Sequence, residues 1–111
     1  MLQKELQAIR SLNHENIVKF YDLIESENRK YQVLEFIDGR DLNLDLKSSR
    51  VMTEEEVEVI FVQLIAALLH MNQQKVVHRD LKPANIMISQ KDKKLTLKVV
   101  DFGLSRKFGD E

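Results

Sequence analysis

The chemistry-bearing side chains of this chain gather in two places: the run His78-Arg79-Asp80-Leu81-Lys82-Pro83-Ala84-Asn85, and the triplet Asp101-Phe102-Gly103, which begins 21 residues after Asp80. Taken singly, neither motif is distinctive. A buried histidine beside an arginine-aspartate ion pair occurs in many folds, and Asp-Phe-Gly is an ordinary turn. The pairing of the two at this separation is what calls for a functional explanation.

Together the two motifs resemble the catalytic loop and the metal-binding triplet of eukaryotic-type serine/threonine protein kinases. Phosphoryl transfer from ATP asks a protein mainly to position groups and to neutralise charge on the phosphate oxygens. The resemblance therefore implies a role for each residue: Asp80 accepts or orients the proton of the substrate hydroxyl, and Lys82 approaches the transferring phosphate. Asn85 and Asp101 correspond to the two magnesium ligands. ATP and Mg2+ are the implied cofactors, and a protein serine or threonine hydroxyl is the implied acceptor. Lys82 with Pro83 resembles serine/threonine kinases more than tyrosine kinases.

The resemblance extends outward. In the segment KELQAIRSLNHENIV, which is similar to the family's regulatory helix and the turn after it, Glu5 stands nine residues before His14. It takes the place of the glutamate that pairs with the ATP-binding lysine. Ile9, Phe20, His78 and Phe102 match the four stacked residues of the regulatory spine. Met87 matches a residue beneath the adenine ring, Leu34 the gatekeeper, and Glu35 and Ile37 the hinge, with Asp41 within reach of the ribose. Arg79 matches the arginine that binds a phosphorylated activation-loop residue, which implies control by phosphorylation. Ser105 is the nearest hydroxyl, but it lies too close to Asp101-Phe102-Gly103 to be that site.

The elements that must position these residues are legible in the hydrophobic pattern. Leu2, Leu6, Ile9 and Leu12 recur at helical spacing and predict a short amphipathic helix over residues 2–12. Ile17 to Glu25 and Lys30 to Ile37 read as two strands of a hairpin around Ser26-Glu27-Asn28-Arg29. Leu42 to Lys47 predicts a short helix. Thr53 with Glu56 forms a capping box that opens a helix from Glu54 to about Gln73, whose apolar face is broad enough to pack on more than one side. Val76-Val77, Asn85 to Ser89 and Leu95 to Val100 read as strands, the last two joined by a charged turn at Gln90 to Lys94. This gives an α+β fold, kinase-like and incomplete. The resemblance divides it into part of the N-lobe (1–36), the hinge (37–41) and the start of the C-lobe with the catalytic loop (42–111).

Composition narrows the alternatives. The chain has 111 residues and is 43% hydrophobic, enough for one domain at most. Its 17 basic and 18 acidic residues are interspersed, which gives no footprint for nucleic acid or an anionic membrane. There is no cysteine, so disulfides, thiolate metal sites and cysteine nucleophiles drop out. No apolar run approaches the roughly 20 residues that span a bilayer. The expected setting is cytoplasmic, with a nuclear one also open.

The resemblance runs from the regulatory helix to the first part of the activation loop. No glycine-rich loop is present, Lys4 and Lys19 do not stand where the ATP-binding lysine belongs, and there is no Ala-Pro-Glu motif. Asn72 occupies a place where the family often has histidine. The helix from Glu54 is expected to leave an apolar patch exposed, and the hairpin a bare edge, so the chain alone is expected to be marginally stable. Three functions remain in view. The first is ATP-dependent phosphorylation of protein hydroxyls as a segment of a kinase domain. The second is a catalytically incompetent fragment that binds or regulates, whose partners are further kinase segments or a regulatory protein. The third is a small-molecule phosphotransferase, which the Leu81-Lys82-Pro83 triplet disfavours.

Overall fold

A computed structural model describes the backbone of residues 3–48, 51–102 and 106–107, and the side chains of residues 6–48 and 51–102. Three helices and seven strands follow in the order α1 (Gln3–Arg10), β1 (Phe20–Glu25), β2 (Lys30–Leu34), β3 (Arg40–Asp41), α2 (Leu42–Lys47), α3 (Glu54–Gln73), β4 (Val76–Val77), β5 (Ile86–Lys91), β6 (Lys94–Val99) and β7 (Arg106–Lys107). A 3-10 turn, Pro83–Asn85, precedes β5. Proline suits its first position, where the missing N–H would have no partner.

The capping box forms as expected. Thr53 Oγ1 accepts from the Glu56 amide at 3.1 Å, and Glu56 Oε1 accepts from the Thr53 amide at 3.3 Å. Along α3 only Ile60, Ala67 and Met71 are buried, with Leu64 packed beside them. Phe61, Val62 and Leu69 lie on the other side, each more than half exposed. The broad apolar face thus has one stripe against the core and one facing water. The helix ends at Gln74, and Lys75 adopts a left-handed φ of 58°, a common way for a chain to turn off a helix.

The core centres on β5 and β6, paired antiparallel from Ile86 opposite Val99 to Lys91 opposite Lys94. Asp92 and Lys93 close the hairpin with φ of 50° and 64°. Positive φ at both central residues matches the right-handed twist of the flanking strands. Leu97 and Val99 point into the core and are fully buried, against α3 on one side and Ile86 and Ile88 on the same sheet. β3 adds a third strand, Arg40 opposite Ile88 and Asp41 opposite Met87. Gly39 allows that approach, since a Cβ there would lie 2.1 Å from the Ile88 carbonyl oxygen.

Several boundaries differ from the sequence reading. The hairpin β1–β2 is shorter at its open end, beginning at Phe20 and ending at Leu34, and Ile17 bridges Val99 in parallel instead of joining it. Asn85 belongs to the 3-10 turn and not to the strand, and the charged turn narrows to Asp92-Lys93. The two-residue strands β3 and β7 carry too little pattern to be read locally; β7 is defined only by pairing with β4.

Candidate active site

The segment between β4 and β5 is held by a histidine. His78 is buried, and its Nε2 donates to the Val100 carbonyl at 2.8 Å while Nδ1 accepts from the Asp80 amide at 3.1 Å. Its ring meets Phe102 edge-on, with centroids 4.6 Å apart at 63°. One imidazole therefore ties the residue before Asp101 to the residue Asp80 itself. The chain passes through Arg79 at φ 68°, a left-handed conformation that costs a non-glycine residue about 1–2 kcal/mol.

Asn85, also buried, joins the two motifs. Its Nδ2 donates to the Asp80 carbonyl at 2.8 Å and to Asp80 Oδ2 at 3.2 Å, while its own backbone carbonyl accepts from the Val100 amide at 2.9 Å. The amide is thereby oriented: nitrogen toward Asp80, with Oδ1 taking no hydrogen bond among the described residues. Asp101 follows Val100 directly, with φ of 57°, and its exposed carboxylate makes no hydrogen bond or ion pair among the described residues. An amide oxygen and a carboxylate, both uncommitted and on adjacent strand ends, fit a hard divalent cation. Lys82 Nζ lies 3.6 Å from Asp80 Oδ1 and is more than half exposed, a loose contact that leaves the cation available.

The other predicted residues fall into two groups. Leu34 opposes Phe20 across β1–β2, and both line a narrow crevice with Ile9, Asp101 and Phe102. Met87 stands on β5 opposite both Asp41 and Lys98. Asp41 caps α2, its carboxylate accepting from the Leu44 amide at 2.7 Å, and its neighbour Arg40 pairs at 2.6 Å with the buried Asp45. Ile37 is half-buried. Glu5 lies within α1, but its side chain, like Ser105 and Gly103, is outside the described residues.

Glu35 has partners that the sequence did not announce. Lys98 Nζ bonds both of its carboxylate oxygens, at 2.9 and 2.7 Å, and the Lys19 amide donates to Oε1 at 3.1 Å. Burial pushes the Glu35 carboxyl up, but the Lys98 hydrogen bonds, the Lys19 amide and the charges of both lysines outweigh it and hold the group below its usual range. Two further histidines meet nearby. His14 Nδ1 accepts from the Asn16 amide at 3.0 Å, His70 Nε2 accepts from the Asn13 amide at 3.1 Å, and the rings lie 5.2 Å apart. Burial, and then the His14 ring, hold His70 below the usual histidine range. Gln63, His70 and Lys98 stand in helix or strand patterns, and Asn16 in the turn after α1, where each reads as an ordinary polar residue, so no local signal marks them.

Comparisons with known proteins agree with this geometry. The family described as "Protein kinase domain" matches residues 1–111. The human serine/threonine-protein kinase DCLK3 is 38% identical over 107 residues, covering 96% of this chain and 16% of the relative. Serine/threonine-protein kinase tousled-like 1 of Caenorhabditis elegans is 39% identical, covering 93% of the chain and 11% of the relative. Sperm motility kinase Z of Mus musculus is 38% identical, covering 94% and 20%. The chain thus spans a fifth or less of the length of each of these relatives. A buried asparagine that orients the aspartate of His-Arg-Asp beside that of Asp-Phe-Gly, and a family match running the full length, lead to one conclusion: this chain belongs to the protein kinase domain family.

Proposed function

We propose that this chain serves ATP- and magnesium-dependent phosphorylation of protein serine and threonine hydroxyls, as a segment of a kinase domain. The observation that carries the proposal is the orientation of Asn85, whose Nδ2 is committed to Asp80 while its backbone holds Val100, so that Oδ1 and the Asp101 carboxylate have no partner among the described residues. Asn85 Oδ1 and the Asp101 carboxylate would hold a magnesium ion, which would supply charge neutralisation at the phosphate oxygens.

The chain's own residues divide the remaining work. Asp80 takes the proton of the acceptor hydroxyl, with its carboxylate fixed by Asn85. Lys82 offers a cation to the transferring phosphate. Leu34 and Met87 bound the adenine position, and the backbone after Leu34 carries the polar contacts to the base. The names of the relatives, which are serine/threonine kinases, support this acceptor class.

Calorimetric titration of the chain with ATP tests the reading. Binding that needs Mg2+, and that Asp101→Asn weakens by an order of magnitude or more, is expected. Equal ATP binding with and without Mg2+, or by wild type and Asp101→Asn, refutes it.

A further inference from the structure

The outer edge of β6, the side away from β5, faces α3 and the segment that follows α1. The backbone groups of Leu97 and Val99 and the Leu95 carbonyl are paired there, but largely not by a strand. Gln63, from the middle of α3, donates from Nε2 to the Leu95 carbonyl at 2.8 Å and accepts at Oε1 from the Leu97 amide at 2.8 Å. Asn16 donates from Nδ2 to the Leu97 carbonyl at 2.9 Å and to Gln63 Oε1 at 2.8 Å. One step along, backbone takes over: the Val99 amide donates to the Asn16 carbonyl, and the Val18 amide to the Val99 carbonyl, both at 2.9 Å. Two side-chain amides thus continue, over Leu95 and Leu97, the edge that residues 16–18 begin at Val99.

This arrangement is demanding. Leu97 is fully buried and Asn16 nearly so, and a backbone group left unpaired in such a place carries a desolvation penalty. Gln63 uses its oxygen twice and its nitrogen once, which neither a carboxylate nor an apolar side chain of that length reproduces. β6 ends at Val99, and the chain continues directly through Val100 to Asp101.

We propose that Gln63 and Asn16 are positioning residues for Asp101. By pinning the outer edge of β6 to α3 and to the segment after α1, they set where Asp101 emerges beside Asn85. A shift of α1 is transmitted to the metal position through Asn16, whose side chain and carbonyl both hold β6. Gln63 is the member of the network that bonds α3 to the backbone of β6, through the Leu95 carbonyl and the Leu97 amide. The proposal rests on the assignment of Asn85 and Asp101 as metal ligands.

The test compares the 111-residue chain with Gln63→Leu, Gln63→Glu and Ile88→Val. The last loses one methylene from the buried partner strand, as a control for destabilisation without any change at the β6 edge. Two readouts are taken on folded protein, verified by circular dichroism: the Mg2+ midpoint of ATP binding, and the amide resonances and exchange rates of Leu97 and Asp101. Gln63→Leu is expected to raise the Mg2+ midpoint by about tenfold, the scale on which groups that orient a metal's ligands act, with Gln63→Glu intermediate and Ile88→Val within about twofold. It is also expected to move the Asp101 amide resonance and expose the Leu97 amide to exchange. A Gln63→Leu midpoint within about twofold of wild type, or an Ile88→Val shift as large as that of Gln63→Leu, overturns the proposal. Should Gln63→Leu not fold, Gln63→Glu decides on the same criteria. Wild type that binds no Mg2+ refutes the ligand assignment instead. The amide readout then judges the positioning, and an Asp101 resonance unmoved in both Gln63 variants overturns it.

Discussion

Replacing Lys98 with methionine removes a charge while keeping most of an unbranched stem, and the structure allows the consequence to be estimated. Lys98 and Glu35 are 18% and 26% exposed, and two contacts of 2.9 and 2.7 Å join them. Hydrogen bonds to charged groups contribute roughly 1.5–3 kcal/mol net. Solvent still reaches a fifth to a quarter of each side chain, so the two contacts are not additive, and a coupling of about 2 kcal/mol is expected. That is a roughly thirtyfold change in the folding equilibrium. The assay is a double-mutant cycle of Lys98→Met and Glu35→Gln by urea unfolding, in sucrose so that all four proteins begin folded. The pH dependence is a second check. A carboxyl held low in the folded state adds stability that is fully present above its unfolded value, near 4.3, and is lost as pH falls through the folded value. Lys98→Met should flatten this acid limb. A coupling under about 0.5 kcal/mol, or an acid limb unchanged in Lys98→Met, would refute the reasoning.

Two further outcomes follow from the geometry. His70 is held low, so its stabilising contribution is complete above the unfolded value near 6.5 and is lost as pH drops through the folded value; unfolding midpoints measured between neutral and mildly acidic pH should fall, and His70→Gln should lose that dependence. Gly39→Ala drives a methyl into the Ile88 carbonyl and should cost about 1–3 kcal/mol in urea unfolding, whereas Ser26→Ala, at an exposed turn, should stay within about 0.5 kcal/mol.

The family resemblance was legible because it is carried by runs of consecutive residues: His78 to Asn85 and Asp101-Phe102-Gly103 match the kinase motifs in type and in their separation. α3 was equally plain, since Thr53 and Glu56 form a cap readable from two letters and the apolar period persists to Met71. What the pattern did not disclose was which side of α3 is covered. Ile60 and Phe61 are both large apolar residues, yet one is buried and the other more than half exposed, because only the tertiary fold brings β6 to one face. Ile17 shows the same limit. Its β-branched neighbourhood suggested a hairpin strand, and its actual partner, Val99, lies 82 positions away.

Family membership, the candidate metal ligands and the order of the main elements were thus set by the sequence itself, because each rests on residues close together in the chain or on a period that one helix or strand displays. The tertiary structure decided how those ligands are held. Gln63 pairs with Asn16 and Leu97, Lys98 with Glu35, and His78 with Val100, across separations of 47, 34, 63 and 22 residues. No local propensity encodes such pairs. They arise because burying Leu97 and Val99 strips water from the backbone of β6, and every donor and acceptor left there must find a partner from whatever part of the chain packs against it.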